Sequence, residues 1–247
     1  MIVKGIIFDI NGTMTDILTD EADDEVYRVI SNLMSYQGIL LDPAEVKQCY
    51  FQTLQEQRAA NVERHPEFDA VEIFRKMMTQ HATDFTNALP AAKLEQLPRL
   101  LAETFRAASR FRLQLYPGVD ETIRQLHQNY HLAIISDAQS AYAAPELNAV
   151  GLSSYFDPII VSGNFGYRKP DERLFTAALK TMKMESAEVL YVGNDMYCDV
   201  FGAQQLGIKT VFFRSNQGRQ EAAGAEPDYI IYNFPELLNA IRFFESR

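Results

Sequence analysis

No run of apolar residues in this 247-residue chain approaches the roughly 18 needed to cross a bilayer. Cysteine is nearly absent. Cys49 and Cys198 are the only two, in no metal-ligand spacing, which argues against a disulfide-stapled secreted scaffold and a thiolate metal centre. Both are read as inert thiols in a reducing compartment. Positive charge is short as well: 23 Lys and Arg stand against 33 acidic residues, a formal net charge of -10. That balance argues against tight nonspecific binding to nucleic acid or to an anionic membrane, both of which need a basic surface. A small anionic ligand remains compatible where a few cations line a pocket. The opening MIVKGIIFD runs straight into a strand and leaves no room for a signal peptide, so the expectation is a soluble cytoplasmic protein. Internal repeats and low-complexity linkers are missing too.

With 47% hydrophobic residues the chain has enough apolar material for a full core. Strand-length apolar runs recur as LAIIS (132–136), PIIVS (158–162), VLYVG (189–193), KTVFF (209–213) and DYIIY (228–232), with IVKGIIFD as one more at the start. Runs apolar on both faces predict a parallel sheet covered by helices. Helix-period segments such as GVDETIRQLHQ, DERLFTAALKTM and DVFGAQQLG alternate with them. The fold class is therefore α/β, a doubly wound parallel sheet, with its site at the carboxyl ends of the strands.

Residues 17 to about 113 break the alternation and read as helices only: DDEVYRVISNLMSYQG, DPAEVKQCYFQTLQEQRAANVERH, DAVEIFRKMMTQHA, then a pair joined at Pro98. Asp42 followed by Pro43 and Glu45 is a strong helix start, and Gly38 stops the helix before it. The expected organisation is a core of residues 1–16 and 114–247, with an all-helical insert, 17–113, over the strand ends as a lid.

Polar residues stand just past the core strands. The first gives Asp9 with Asn11, Gly12 and Thr13; LAIIS gives Ser136 and Asp137; VLYVG gives Asn194, Asp195 and, a helical turn on, Asp199. In GNFGYRKPDERLF, Lys169 precedes a proline that can open a helix. Converging at one edge, these supply several carboxylates, a hydroxyl and a lysine. Crowded carboxylates repel unless a cation sits among them, and Mg²⁺, which takes oxygen ligands and keeps waters, suits such a site.

The order DxxGTxxD, a strand ending in Ser, Lys-Pro before a helix, and VGNDxxxD before a small-residue helix resembles the haloacid dehalogenase superfamily, mostly Mg-dependent phosphatases with a helical cap. The resemblance covers the whole chain and implies that Asp9 is the nucleophile taking up a phosphoryl group, that Ser136 binds phosphate oxygen with Gly12, Thr13 and Asp137 nearby, and that Lys169 balances charge. It also implies Mg²⁺ held by Asp9, the backbone carbonyl of Asn11 and the acidic group after VLYVG. Asn194 and Asp195 compete for that last place, Asp195 being favoured for its four-residue spacing to Asp199, which ligates or orients waters. The implied substrate is a small phosphorylated metabolite.

One departure is plain. Family phosphatases carry a second Asp where this chain has Asn11, and an amide neither protonates a leaving oxygen nor activates water. Three readings follow: a phosphatase slowed at that step, a metal-independent dehalogenase, or a protein that binds a phosphorylated ligand or a partner without turnover. Arg58, Arg64 and His65 of the insert are read as a solvated helix face. The Met and aromatic residues of FRKMMTQ and CYFQTL are read as core packing. His127 and His131 flank LAIIS at its amino end, away from the site.

Overall fold

A computed structural model describes residues 1–246. Six strands form one all-parallel sheet: β1 (Gly5–Phe8), β4 (His131–Ser136), β5 (Ile159–Val161), β6 (Val189–Gly193), β7 (Lys209–Phe213) and β8 (Tyr229–Ile231). Their order is β5-β4-β1-β6-β7-β8. β1 lies between β4 and β6, with Phe8 opposite Ile134 on one side and Val192 on the other. The inner strands are buried on both faces, whereas the edge strands β5 and β8 leave Ile159 and Ile230 exposed. Ile6, Phe8, Ile134 and Val192 join one core cluster and Ile7, Ile135 and Tyr191 the other, on the opposite face. Helices α6 (Val119–Leu126), α7 (Ser140–Ala149), α8 (Glu172–Met182), α9 (Gly202–Gln204) and α10 (Leu237–Glu245) cover the sheet. No helix among the described residues is long and apolar enough to cross a membrane.

Between β1 and β4 the chain makes α1 (Asp24–Ser35), α2 (Pro43–Ala60), α3 (Ala70–Gln80), α4 (Asp84–Asn87) and α5 (Ala91–Ser109). Asp42 caps α2 through the Glu45 amide while Glu45 returns a bond to the Asp42 amide, the reciprocal cap its sequence implies. These helices bury their own cluster around an aromatic knot. Phe105 stacks on Tyr50 at 4.4 Å, and Tyr27 and Phe74 both close on Phe105 at 5.8 Å.

Two expectations for this stretch are corrected. It is not helical throughout, because β2 (Thr15–Thr19) and β3 (Arg110–Leu115) pair as an antiparallel ribbon at its root. RFRLQL has no continuous apolar run and its burial swings between half-buried and exposed, while two of the three buried residues of β2, Thr15 and Asp16, are polar, so the ribbon leaves a weak apolar pattern. Nor do two helices meet at Pro98: α5 runs through it. An interior proline forfeits one backbone bond and costs about 3 kcal/mol. Burial of Leu97, Leu101, Ala102 and Phe105 on the same face offsets that cost.

The aromatic knot should carry the stability of the inserted helices. Phe105→Ala is expected to lose about 3–5 kcal/mol in urea denaturation followed by circular dichroism. A loss below about 1 kcal/mol, the scale of a surface change, would mean that the stack is dispensable.

Candidate active site

Because β4, β1 and β6 are neighbours, the polar residues after each meet at one edge of the sheet. Asp9 continues β1 and donates its N–H to Val192 C=O at 3.0 Å. Its carboxylate is buried. Lys169, on the loop between β5 and α8, reaches in from the side, also buried, with Nζ 2.7 Å from Asp9 Oδ1 and 2.7 Å from Asp199 Oδ1. Tyr191 Oη stands 3.2 Å from the same ammonium and donates to Asp199 Oδ1 at 2.9 Å. Asp199 Oδ2 accepts the N–H groups of Asn194 and Asp195 at 3.0 and 2.9 Å.

The two acids sharing this lysine are not equally served. Asp199 has an ammonium, a phenol and two amides, whereas Asp9 has the ammonium and a 3.2 Å contact from Thr13 Oγ1. Burial pushes the Asp9 carboxyl up, Lys169 opposes this and Asp199 adds to it, leaving its pKa at about 7. Burial would lower the Lys169 ammonium, but Asp199 and Asp9 outweigh it and hold the group well above its usual range.

The turn after Asp9 spends most of its polar groups on itself. Gly12 N–H donates to Thr15 C=O at 2.7 Å, and Asn11 Oδ1 accepts from Thr15 Oγ1 at 3.1 Å. Gly12 has φ of 84°, and a Cβ there would fall 2.2 Å from Asn194 Nδ2, so glycine is demanded by both backbone and neighbour. Thr13 Oγ1 lies 2.8 Å from Asn194 Oδ1, nearer than to Asp9. Asp195 caps the turn of Met196–Phe201. Its Oδ1 accepts from Tyr197 and Cys198 N–H at 2.9 and 2.8 Å, and its Oδ2 from Arg219 N–H at 3.1 Å. Asp137 is likewise engaged, Oδ1 with Lys169 N–H at 2.8 Å and Oδ2 with Arg168 Nε at 3.4 Å. Ser136 differs: its Oγ is fully buried and has no hydrogen-bond partner among the described residues.

A cavity of about 170 Å³ joins Asp9, Asn11, Ser136, Lys169, Asn194 and Asp195, with Asp137, Asp199 and Arg168 at its walls. A second, about 130 Å³, lies beneath the inserted helices and shares Asn11, Asp137 and Arg168 with the first. Every sequence candidate of the core therefore lies at or beside one chamber. Arg58, Arg64 and His65 do not. Arg58 lies over the Phe68 ring, and the other two line a separate cleft with Asp171 and Tyr197. Burial pushes the Cys198 thiol at the cavity wall up to about 12, so it stays protonated and unreactive at neutral pH.

Sequence reasoning missed Arg168, whose only signal is its place beside Lys169. It also missed Tyr191, hidden in an apolar run, and Gln217, whose Nε2 ties a distant loop to Asp16 Oδ1 at 2.8 Å and carries no local signature.

The sequence profile of haloacid dehalogenase-like hydrolases matches residues 6–213. Among curated relatives, the glyceraldehyde 3-phosphate phosphatase of Pyrococcus furiosus is 29% identical over 134 residues, 52% of this chain and 55% of that protein. The match thus spans about half of that relative's length. The phosphoglycolate phosphatase of Yersinia pestis is 26% identical over 241 residues, covering 97% and 93% of the two chains. In three dimensions, a 2-haloacid dehalogenase from Pseudomonas syringae superposes with a TM-score of 0.71 at 20% identity, covering 98% of this chain and all of that one. This last likeness is one of fold.

The raised Asp9 pKa fixes a pH dependence. Between about pH 4 and 7 the folded state keeps a proton that the unfolded chain has released, so stability falls as pH rises through that window. Asp9→Asn removes the slope. In chelator, the stability of the variant relative to the parent should grow from pH 4 to 7 by a few kcal/mol, on the order set by a shift of this size, as read by urea denaturation across pH. A difference that stays flat would mean the carboxylate is not under-compensated.

Proposed function

The chain belongs to the haloacid dehalogenase-like hydrolases, and from that membership we propose that it is a phosphohydrolase acting on a small phosphorylated metabolite through an aspartyl-phosphate on Asp9. The observation that carries this reading is the chamber itself. A carboxylate and the unpartnered Ser136 hydroxyl share it with the ammonium of Lys169, and Arg168 stands at its edge. A phosphoryl group in transfer needs its equatorial oxygens met by donors and cations, and such a wall supplies both.

In the first step an Asp9 oxygen attacks phosphorus, the O–P bond forms, and the bond to the leaving oxygen breaks. Lys169 orients the carboxylate and screens its charge from the incoming phosphoryl group. Ser136 Oγ–H donates to a phosphoryl oxygen. Asn11, whose Oδ1 faces Thr15, has Nδ2 left to donate to the leaving oxygen, but it has no proton to transfer. In the second step water attacks the same phosphorus, the bond to Asp9 breaks, and phosphate leaves with the carboxylate restored. No side chain beside Asp9 is placed to take the proton of that water. The inserted helices, residues 17–113, act as the cap, and the second cavity beneath them holds the rest of the substrate.

The groups beside Asp9 that could offer a lone pair to a cation, the Asn11 carbonyl, the Asn194 carboxamide and the Asp195 carboxylate, are oxygens, which suits Mg²⁺ in kind, although among the described residues no three Asp, Glu, His or Cys side chains converge as a ready cage. Asp9, the Asn11 carbonyl and the Asn194 carboxamide would hold it. The three amides already bound to Asp195 support Asn194 over Asp195 at that place, with Asp195 and Asp199 left to order waters. When bound, the ion supplies Lewis-acid neutralisation of phosphoryl oxygens.

Because general acid/base help contributes about a hundredfold to ten-thousandfold, its loss leaves a slow enzyme. An aryl phosphate, whose leaving group departs without a proton, should give a burst of product and then slow turnover, with phosphorylated Asp9 trapped by rapid quench and mass spectrometry. Asn11→Asp should raise the steady rate by at least tenfold, a small part of that contribution, and Asp9→Asn should abolish both phases. No burst, with no gain from Asn11→Asp across a broad phosphate panel, would defeat this reading. A dehalogenase, favoured by the commitment of Asp137, Asp195 and Asp199 to internal partners, would then be tested with 2-haloacids in chelator.

A further inference from the structure

Resting on the phosphohydrolase reading, we propose that the substrate is the phosphate ester of a short, uncharged, hydroxyl-bearing alcohol, and that the wall beneath the inserted helices turns away esters carrying a second anion. The ground is how the charges of the second cavity are already committed. Two guanidiniums stand on its lining. Arg106, on α5, has Nε 2.7 Å from Oε1 of Glu146, a buried acid of α7, and Nη1 3.7 Å from Glu21 Oε1. Arg168 has Nε 3.4 Å from Asp137 Oδ2. Each cation thus has its own acid, Glu146 or Asp137, and Glu21 and Glu67 are in surplus. With all six groups ionised the wall stands at net -2 (four acids less two cations), and with Glu21 and Glu67 protonated it stands at zero. Neither state leaves a cation for a second carboxylate or phosphate. Arg58 lies over the Phe68 ring, exposed and outside the lining.

Space and hydrogen bonding narrow the ester further. The cavity of about 130 Å³ equals the liquid share of roughly four waters, room for an alcohol of about two or three carbons with its oxygens. The groups left open on its lining are of both kinds. The Glu21 carboxylate accepts no hydrogen bond from the described residues, and Arg168 keeps both Nη groups without a hydrogen-bond partner among them. A hydroxyl suits both, since it donates to Glu21 and accepts from Arg168, whereas a carboxylate brings lone pairs only and meets Glu21 with repulsion. In a half-buried wall that repulsion is poorly screened. The phosphoryl group, drawing on Lys169 and Arg168 in the adjoining chamber, leaves no further cation to offset it.

The test is kcat/KM of the intact protein in MgCl2 for two pairs of esters that differ only in CH2OH against COO⁻: 2-hydroxyethyl phosphate against phosphoglycolate, and glycerol 1-phosphate against 3-phosphoglycerate. Within each pair the alcohol should be preferred at least about tenfold, a modest share of one like-charge contact in such a wall, and chiefly through KM. Glu21→Gln removes a surplus acid at nearly constant volume, so it should cut the preference at least about threefold through the KM of the carboxylated ester. A melting curve checks that this variant folds, and the parent ratios decide the matter without it. Should an aryl phosphate be hydrolysed but neither member of a pair, their inhibition constants against the aryl phosphate decide by the same ratios. A parent preference short of tenfold overturns the proposal, as does one that folded Glu21→Gln leaves unchanged. Either result with an aryl-phosphate burst removes the substrate class and keeps the phosphohydrolase. No hydrolysis and no burst with any ester removes both.

Discussion

The ammonium of Lys169 is the charge on which the site depends. Buried among Asp9, Asp199, Tyr191 and the Ile135 carbonyl, it is shielded from bulk solvent, and a buried cation survives only when paired and hydrogen-bonded. Its partners come from three adjacent strands and the turn after β6, so one side chain holds their carboxyl ends in register. Removing a partner would leave an uncompensated charge, which is why a substitution here acts on fold and chemistry together. The lysine is also what makes the two carboxylates unequal. Asp199 is served by an extra phenol and two amides and behaves as a fixed counter-ion. Asp9 receives less and is left as the group whose charge is easily neutralised, by a proton or, in the proposed reaction, by bond formation to phosphorus.

The inserted helices are fastened to the core by more than the β2–β3 ribbon. Asn61 Nδ2 and Glu67 N–H both donate to Gly166 C=O, Arg168 N–H donates to His65 C=O, and Gln139 bridges Phe68 C=O and Ala70 N–H. Glu67 accepts from Ser162 Oγ in a buried pair. Burial raises the Glu67 carboxyl while Ser162 and Arg168 pull the other way. This seam runs beside Arg168 and Lys169, so the loop that carries the buried lysine is braced from the cap side. The inserted helices and the loop that places Lys169 therefore share one hydrogen-bonded seam.

What the sequence revealed follows from how each feature writes itself into residue pattern. The central strands are buried on both faces, so their apolar runs stand out, and the polar residues at their carboxyl ends mark the candidate site: Asp9, Ser136, Asn194. Lys169 was legible because a proline follows it. The β2–β3 ribbon was not, since half-exposed strands carry no apolar run, and neither was the continuity of α5 through Pro98, because packing overrode a local breaker. The choice between Asn194 and Asp195 as a metal ligand rests on one residue of register. Consecutive side chains leaving a strand point opposite ways, and the sequence holds no information on which of them faces Asp9. Arg168, Tyr191 and Gln217 gain their roles from tertiary contacts alone.

The two amides, Asn11 and Asn194, follow from the electrostatics of Asp9. Burial above all, with Asp199 and then Asp137 adding to it, drives that carboxyl up to about 7 even with Lys169 in contact. Two further carboxylates at positions 11 and 194 would raise it again unless a cation were resident, since each like charge within a few ångströms disfavours ionisation. A protonated carboxyl is no nucleophile. Amides at both places keep the local shape and the hydrogen-bonding capacity while adding no charge that would raise it further. On the phosphohydrolase reading proposed above, what is given up is the base for the second step and a carboxylate grip on the metal. On that same reading the pair of Asn residues favours formation of the aspartyl-phosphate over its breakdown, and the kinetic weight of the cycle shifts to the step in which water must attack without help.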